Sequence, residues 1–134
     1  MNLPEITVVA AIISNSKNQI LITLRPEGFH LSGMWEFPGG KVENGETKDF
    51  ALIREIKEET NLDITIGDLY WEEKVNYTKK RVHLFFYQCK LLQEDQQVIC
   101  HEIDDFRWVS KNGLSDFVFP EADKNLIDHL MKSG

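Results

Sequence analysis

The sequence predicts an α+β fold in which a mixed β-sheet carries packed helices. Three observations lead there: a continuous apolar run near the N-terminus, one strong helical segment in the middle, and an element order β, β, β, α, β, β, β, α with hairpin-like links. The 134 residues are expected to form one domain, 1–134, because no repeat, low-complexity tract or linker-like shift in composition divides them.

Taken in order, residues 6–13 are rich in Val, Ile and Ala and suit a strand buried on both faces. Residues 15–18 read as a turn, and residues 19–25 as the returning strand of a hairpin. Pro26, Gly28 and Gly33 mark a loop, followed by a short run, 34–37, that leads into Pro38-Gly39-Gly40. Residues 47–60 contain no Gly or Pro and follow Asn44-Gly45. Asp49 lies in the first turn, where a carboxylate complements the helix dipole. Leu52, Ile53 and Ile56 define the expected buried face, and Asn61 is suited to close the helix in the left-handed conformation. Further strands are expected at about 64–77, 81–92 and 106–109. A final helix begins near Pro120, with Ala122, Leu126, Ile127, Leu130 and Met131 forming one stripe.

The charge balance of 15 basic against 22 acidic residues gives −7. Such a surface repels duplex nucleic acid, and no basic cluster exceeds Lys79-Lys80-Arg81, so a polymeric nucleic acid partner is not expected. Cys89 and Cys100 are too few for a disulfide scaffold and have no metal-ligand spacing. They suit idle thiols in a reducing compartment. The first residues lack a positive leader, and the apolar run 6–13 is too short to span a bilayer. A cytoplasmic protein without a membrane partner is expected, monomeric, with a dimer as the alternative.

The chemistry is concentrated in residues 39–62. On a helix, Glu55, Glu58 and Glu59 fall at i, i+3 and i+4 and converge on one ridge. At neutral pH the ridge is a repulsive cluster, and hard carboxylate oxygens of this kind suit Mg²⁺ or Mn²⁺ completed by substrate phosphates. By spacing alone, a solvated acidic face is the alternative. Arg54 stands ready to orient these carboxylates, and the glycine-rich turn ahead of the helix lets the backbone approach a ligand closely.

Gly40, five residues, Glu46, seven residues, Arg54-Glu55-Ile56-Lys57-Glu58-Glu59 and then Leu62 together resemble the Nudix box. The one departure is Asn61, where the box usually has glycine. Asn is the next best residue for positive φ, so the conformation is kept. Outside the box, Ile22-Thr23-Leu24-Arg25, the run 35–41 (Trp-Glu-Phe-Pro-Gly-Gly-Lys) and the run 119–123 (Phe-Pro-Glu-Ala-Asp) are similar to the MutT branch of that family. The resemblance implies an α/β/α sandwich around a mixed sheet, in agreement with the element order.

It also implies an activity. In the MutT branch, water attacks a nucleoside triphosphate and releases a monophosphate and pyrophosphate. By resemblance, Glu55, Glu58, Glu59 and the Gly39 carbonyl are metal ligands, with Glu55 also a candidate base. Gly40, Glu46 and Arg54 shape and orient the cluster. Glu102 stands where the family often adds a carboxylate, as ligand or base, and the alternative is an exposed loop residue; His101 reads as an ordinary loop histidine. Arg25 and Lys41 are candidate phosphate contacts, or plain surface cations. Asp123 is a candidate reader of the nucleobase edge, or alternatively a helix cap. Phe37 is a candidate stacking residue, as are Phe85, Phe86 and Tyr87, with core packing as the reading for Phe85 and Phe86. Tyr77 fits a polyphosphate-hydrolase tyrosine or an ordinary strand end. Three functions follow: hydrolysis of oxidised purine nucleotides such as 8-oxo-dGTP, hydrolysis of CTP or a modified dCTP, or an inactive nucleotide-sensing module. The intact set of box glutamates argues against the last.

Overall fold

The computed structural model describes residues 3–26 and 33–133. Gly28, expected to break the first loop, lies outside them. The strands are β1 (Glu5–Ser14), β2 (Ile20–Leu24), β3 (Trp35–Glu36), β4 (Gly39–Lys41), β5 (Ile64–Asn76), β6 (Arg81–Leu91) and β7 (Asp105–Val109). The helices are α1 (Lys48–Thr60) and α2 (Lys124–Lys132), with short 3₁₀ turns at Asn112–Asp116 and Glu121–Asp123.

One mixed sheet runs β3-β2-β1-β6-β5, with β4 added on β1 and β7 on β2. Among the described residues only the β1–β6 pair is parallel, in unbroken register from Glu5↔Arg81 to Ser14↔Lys90. Helices cover both faces, so β1 is apolar from Val8 to Ile13. Val9, Ala11 and Ile13 pack toward α1 with Ala51, Leu52 and Ile56. Ala10 and Ile12 face the other way, in a core with Leu126, Ile127 and Leu130 of α2. This is the expected α/β/α sandwich.

The β1–β2 hairpin closes only at Ser14↔Ile20. Beyond that point the strands part, and residues 35–41 fill the gap. Leu24 and Thr23 pair with Trp35 and Glu36, the Ala11 N–H donates to the Pro38 carbonyl at 2.8 Å, and Val8 to Ala10 pair with Lys41 to Gly39. The double glycine therefore forms a strand rather than the turn its composition suggests. A Cβ at Gly39 would collide with the Val9 carbonyl.

α1 begins where expected. The Thr47 hydroxyl accepts from the Phe50 N–H at 3.2 Å, and Asn61 ends the helix at φ 62°. Its buried face differs in one member: Ile53 is 48% exposed, while Ala51, Leu52, Ile56, Glu59 and Thr60 are buried. Position 53 lies 100° around from 52 and outside the 52/56/59 stripe. Cys89 is buried, its thiol pushed up to about 12 by burial, and Cys100 is exposed. Among the described residues, no helix is long and apolar enough to cross a membrane.

The two faces of α1 should respond differently to truncation. Leu52→Ala or Ile56→Ala is expected to cost about 2–5 kcal/mol, whereas Ile53→Ala should stay within about 0.5 kcal/mol. Urea denaturation of the three variants checks this.

Candidate active site

The site is assembled by Arg54. Its Nε donates to Glu46 Oε2 at 2.6 Å and its Nη2 to Glu46 Oε1 at 2.8 Å, a two-pronged contact. Nη1 reaches Glu55 at 3.0 Å and Glu58 at 3.3 Å, and Nη2 also donates to the Lys41 carbonyl at 3.2 Å. One guanidinium thus ties the β4–α1 loop, β4 and two ridge carboxylates together. The Arg54 contact holds the Glu46 carboxyl below its ordinary value, helped by the Glu43 N–H at 2.8 Å, and the carboxylates of Glu46, Glu58 and Glu55 in turn raise the Arg54 pKa.

Behind Arg54, Glu55 lies against Gly40 so closely that any Cβ there would overlap its carboxyl group. Burial raises the Glu55 pKa, against the pull of its Glu59 hydrogen bond and Arg54. Glu59 is 7% exposed and pushed up to about 10, first by burial and then by Glu55 and Glu36. Glu55 and Glu59 are hydrogen-bonded to each other, and burial works against ionisation of both, with Glu36 as a third acid nearby. Among the described residues no three acidic, His or Cys side chains already close around an ion. Glu58 is turned outward onto Arg54, with its side chain 44% exposed. A buried carboxyl pair short of positive charge, with backbone close by, is nonetheless a donor set that suits a hard divalent cation.

The opposite wall comes from residues 99–104. The Ile99 and His101 N–H groups donate to the carbonyls of Thr60 and Glu59, and the Asp104 N–H to Leu24, at 3.0–3.1 Å. This pins Glu102 over a cavity of about 650 Å³ whose walls include Arg25, Glu36, Gly39, Glu59 and His101. Glu102 and Glu59, far apart in sequence, thus face one space.

A second cavity, about 210 Å³, adjoins it and shares Arg25, Glu36 and Gly39 as walls. Its sides are apolar, from Val8, Ala10, Leu84 and Phe86; Lys41, Tyr77 and Lys80 also line it, together with Asp123. Asp123 is 8% exposed and pushed up to about 7 by burial, with Glu36 and Glu73 adding to the shift. Its side chain caps no helix, so the capping alternative does not describe this residue. Phe37 lines the cavity as core: its ring stacks on Phe119 at 5.6 Å and meets Phe86 edge-on at 6.0 Å. Phe85 and Tyr87 lie on the other face of the sheet, packed against the α1 core.

A larger cavity, about 850 Å³, lies between the β4–α1 loop and residues 5–7. Neither Glu55 nor Glu59 lines it, so size does not mark the chemistry here.

Glu36 stands in the 35–41 run but has no role in the sequence reading. Its signal was the strand register: Thr23 pairs with Glu36, so Arg25, two residues on, lies on the same face. Arg25 Nη1 donates to Glu36 Oε1 at 2.9 Å and to Oε2 at 3.3 Å. Burial raises the Glu36 pKa against this pairing. The Thr23 hydroxyl is buried without a partner.

Residues 8–129 match the NUDIX domain family. The chain belongs to that family and is a Nudix hydrolase; such enzymes generally need a divalent metal. The 8-oxo-dGTP diphosphatase of Haemophilus influenzae is 37% identical, the match covering 94% of this chain and 91% of that protein. The CTP pyrophosphohydrolase of Escherichia coli is 32% identical, covering 94% and 91%. The solution structure of the DNA mismatch repair protein MutT from methicillin-resistant Staphylococcus aureus 252 is 38% identical, with a TM-score of 0.79 over 99% of this chain and all of that one.

Asp123 makes a pH-dependent prediction. Its pKa is raised from 3.8 to about 7 on folding, so the folded state binds more protons between those values and stability falls as pH rises through them. Above about 7 the full cost of the buried charge is present; below 3.8 it is absent. Asp123→Asn is therefore expected to stabilise the protein at pH 8 by on the order of a few kcal/mol. The gain should shrink to nothing near pH 4, as read from thermal melts across pH.

Proposed function

We propose that the chain is a Mg²⁺-dependent nucleoside triphosphate pyrophosphohydrolase acting on oxidised purine nucleotides such as 8-oxo-dGTP. The observation that carries this is the adjoining pair of cavities: one acidic, lined by Glu36, Glu59 and Glu102, and one apolar, lined by Asp123. Phosphates fit the first only with cations, and a nucleobase fits the second. Glu55, Glu58, Glu59, Glu102 and the Gly39 carbonyl would hold the divalent ion, with Mn²⁺ as a substitute. When bound, that ion neutralises phosphate charge and lowers the pKa of a water.

The protein's own groups do the rest. Arg54 keeps Glu55 and Glu58 aimed, and Glu46 keeps Arg54 aimed. Glu55 or Glu102 accepts the proton of the attacking water. Arg25 and Lys41 meet phosphate oxygens on the way to the base. Asp123 meets donors on the base edge. Guanine and cytosine both offer an exocyclic amine there, and the similarity to the CTP pyrophosphohydrolase supports a cytidine nucleotide as the second reading. The substrate is a free nucleotide, taken by a monomer in the cytoplasm.

A panel of canonical and damaged (d)NTPs with Mg²⁺, scored for products, tests this. The expected products are a nucleoside monophosphate and intact pyrophosphate; release of orthophosphate from the γ position would refute the geometry. Activity should vanish in excess chelator and rise toward alkaline pH, because every ligand must be ionised.

Glu55→Gln and Glu58→Gln should each lower kcat by at least about 10²-fold with the fold intact. Near wild-type rates in either variant would reduce the ridge to a solvated face. Asp123→Ala should raise KM or erase base preference without changing the products.

A further inference from the structure

We propose that Glu36 is a positioning residue of this hydrolase, holding Arg25 at the boundary between the acidic cavity and the base cavity. The inference rests on the reading that a nucleotide spans both spaces. Arg25 and Glu36 are both walls of each cavity, as is Gly39. A ligand with its phosphates beside Glu59 and its base beside Asp123 must therefore cross the wall that this ion pair forms.

The pair is set by the backbone. Thr23 lies opposite Glu36 in the β2–β3 ladder, and Arg25 follows two residues later on the same face. The Arg25 N–H donates to the Met34 carbonyl at 3.0 Å, which ties its main chain to the strand bearing Glu36. The guanidinium then meets both carboxylate oxygens, at 2.9 and 3.3 Å, with the two side chains about one-third and one-quarter exposed. An arginine stem has several free rotations, and ordering it on ligand binding would weaken affinity. A partner that orders it beforehand spares that loss.

Glu36 carries the same charge as the substrate, so its own contact with phosphate would be repulsive. Any benefit it brings to phosphate binding therefore passes through Arg25. That distinguishes it from Glu55, Glu58 and Glu59, whose contribution is to cation binding.

The test is steady-state kinetics with Mg²⁺ on the nucleotide that the wild-type protein hydrolyses fastest, for Glu36→Ala, Glu36→Gln, Arg25→Ala and the Glu36→Ala/Arg25→Ala double variant, with a thermal melt of each. Glu36→Ala is expected to raise KM about tenfold with kcat within about threefold. Glu36→Gln, which keeps an acceptor for Arg25, should recover most of that loss. The double variant should be no worse than Arg25→Ala alone, because Glu36 has nothing to position once Arg25 is gone. If Glu36→Ala fails to fold, Glu36→Asp takes its place in the cycle, since it withdraws the carboxylate from Arg25 by one methylene. An unchanged KM in the Glu36 variant, or a double variant whose loss is the product of the two single losses, would overturn the positioning role while leaving the hydrolase reading intact. A wild-type protein that hydrolyses no nucleotide would overturn both.

Discussion

The parting of β1 and β2 is the constraint from which the site follows. Two strands that separate expose unpaired backbone groups, and buried backbone groups must find partners. Residues 35–41 supply them, pairing first with β2 and then with β1. That one segment delivers Glu36, Gly39 and Gly40 to the centre of the molecule, with Phe37 in the core behind them. The close approach also fixes the residue types. A side chain at 39 would strike the backbone of β1, and one at 40 would push the Glu55 carboxyl out of its place.

Around that wedge the charges are arranged unevenly. Arg54 carries most of the positive charge on the outer side, and its partners there are well paired. On the inner side, Glu55, Glu59 and Glu36 crowd together with burial working against their ionisation. Asp123, in the next cavity, feels the same field through Glu36. An apolar core could be built more stably without these groups, and their retention is what a site for a cation and a polyphosphate requires.

Much of this was legible in the sequence because it rests on local rules. The start of α1 after Asn44-Gly45, the left-handed Asn61 and the ridge of Glu55, Glu58 and Glu59 depend on residues within one or two turns of each other. The alternation that sends Val9 one way and Ala10 the other is equally local. What escaped depends on distant partners. Gly39-Gly40-Lys41 looks like a turn until β1 is placed beside it. Ile53 looks buried until the angular position of the neighbouring sheet is known. Glu36 has no visible role until the β2–β3 register sets it beside Arg25. The ring of Phe37 is occupied by Phe119, more than half the chain away.

The parallel pairing of β1 with β6 bears on how the molecule comes to exist. The first strand finds its long partner only after more than half of the chain has been made. Loop closure over that span is entropically costly, and folds dominated by such contacts form slowly. During synthesis, the β1–β2 hairpin and the capped helix α1 can form from local contacts, whereas the sheet that buries Val9 and Ala11 must wait for residues 81–90. Until then an apolar strand stands without its neighbour, which makes the nascent chain prone to association through that edge.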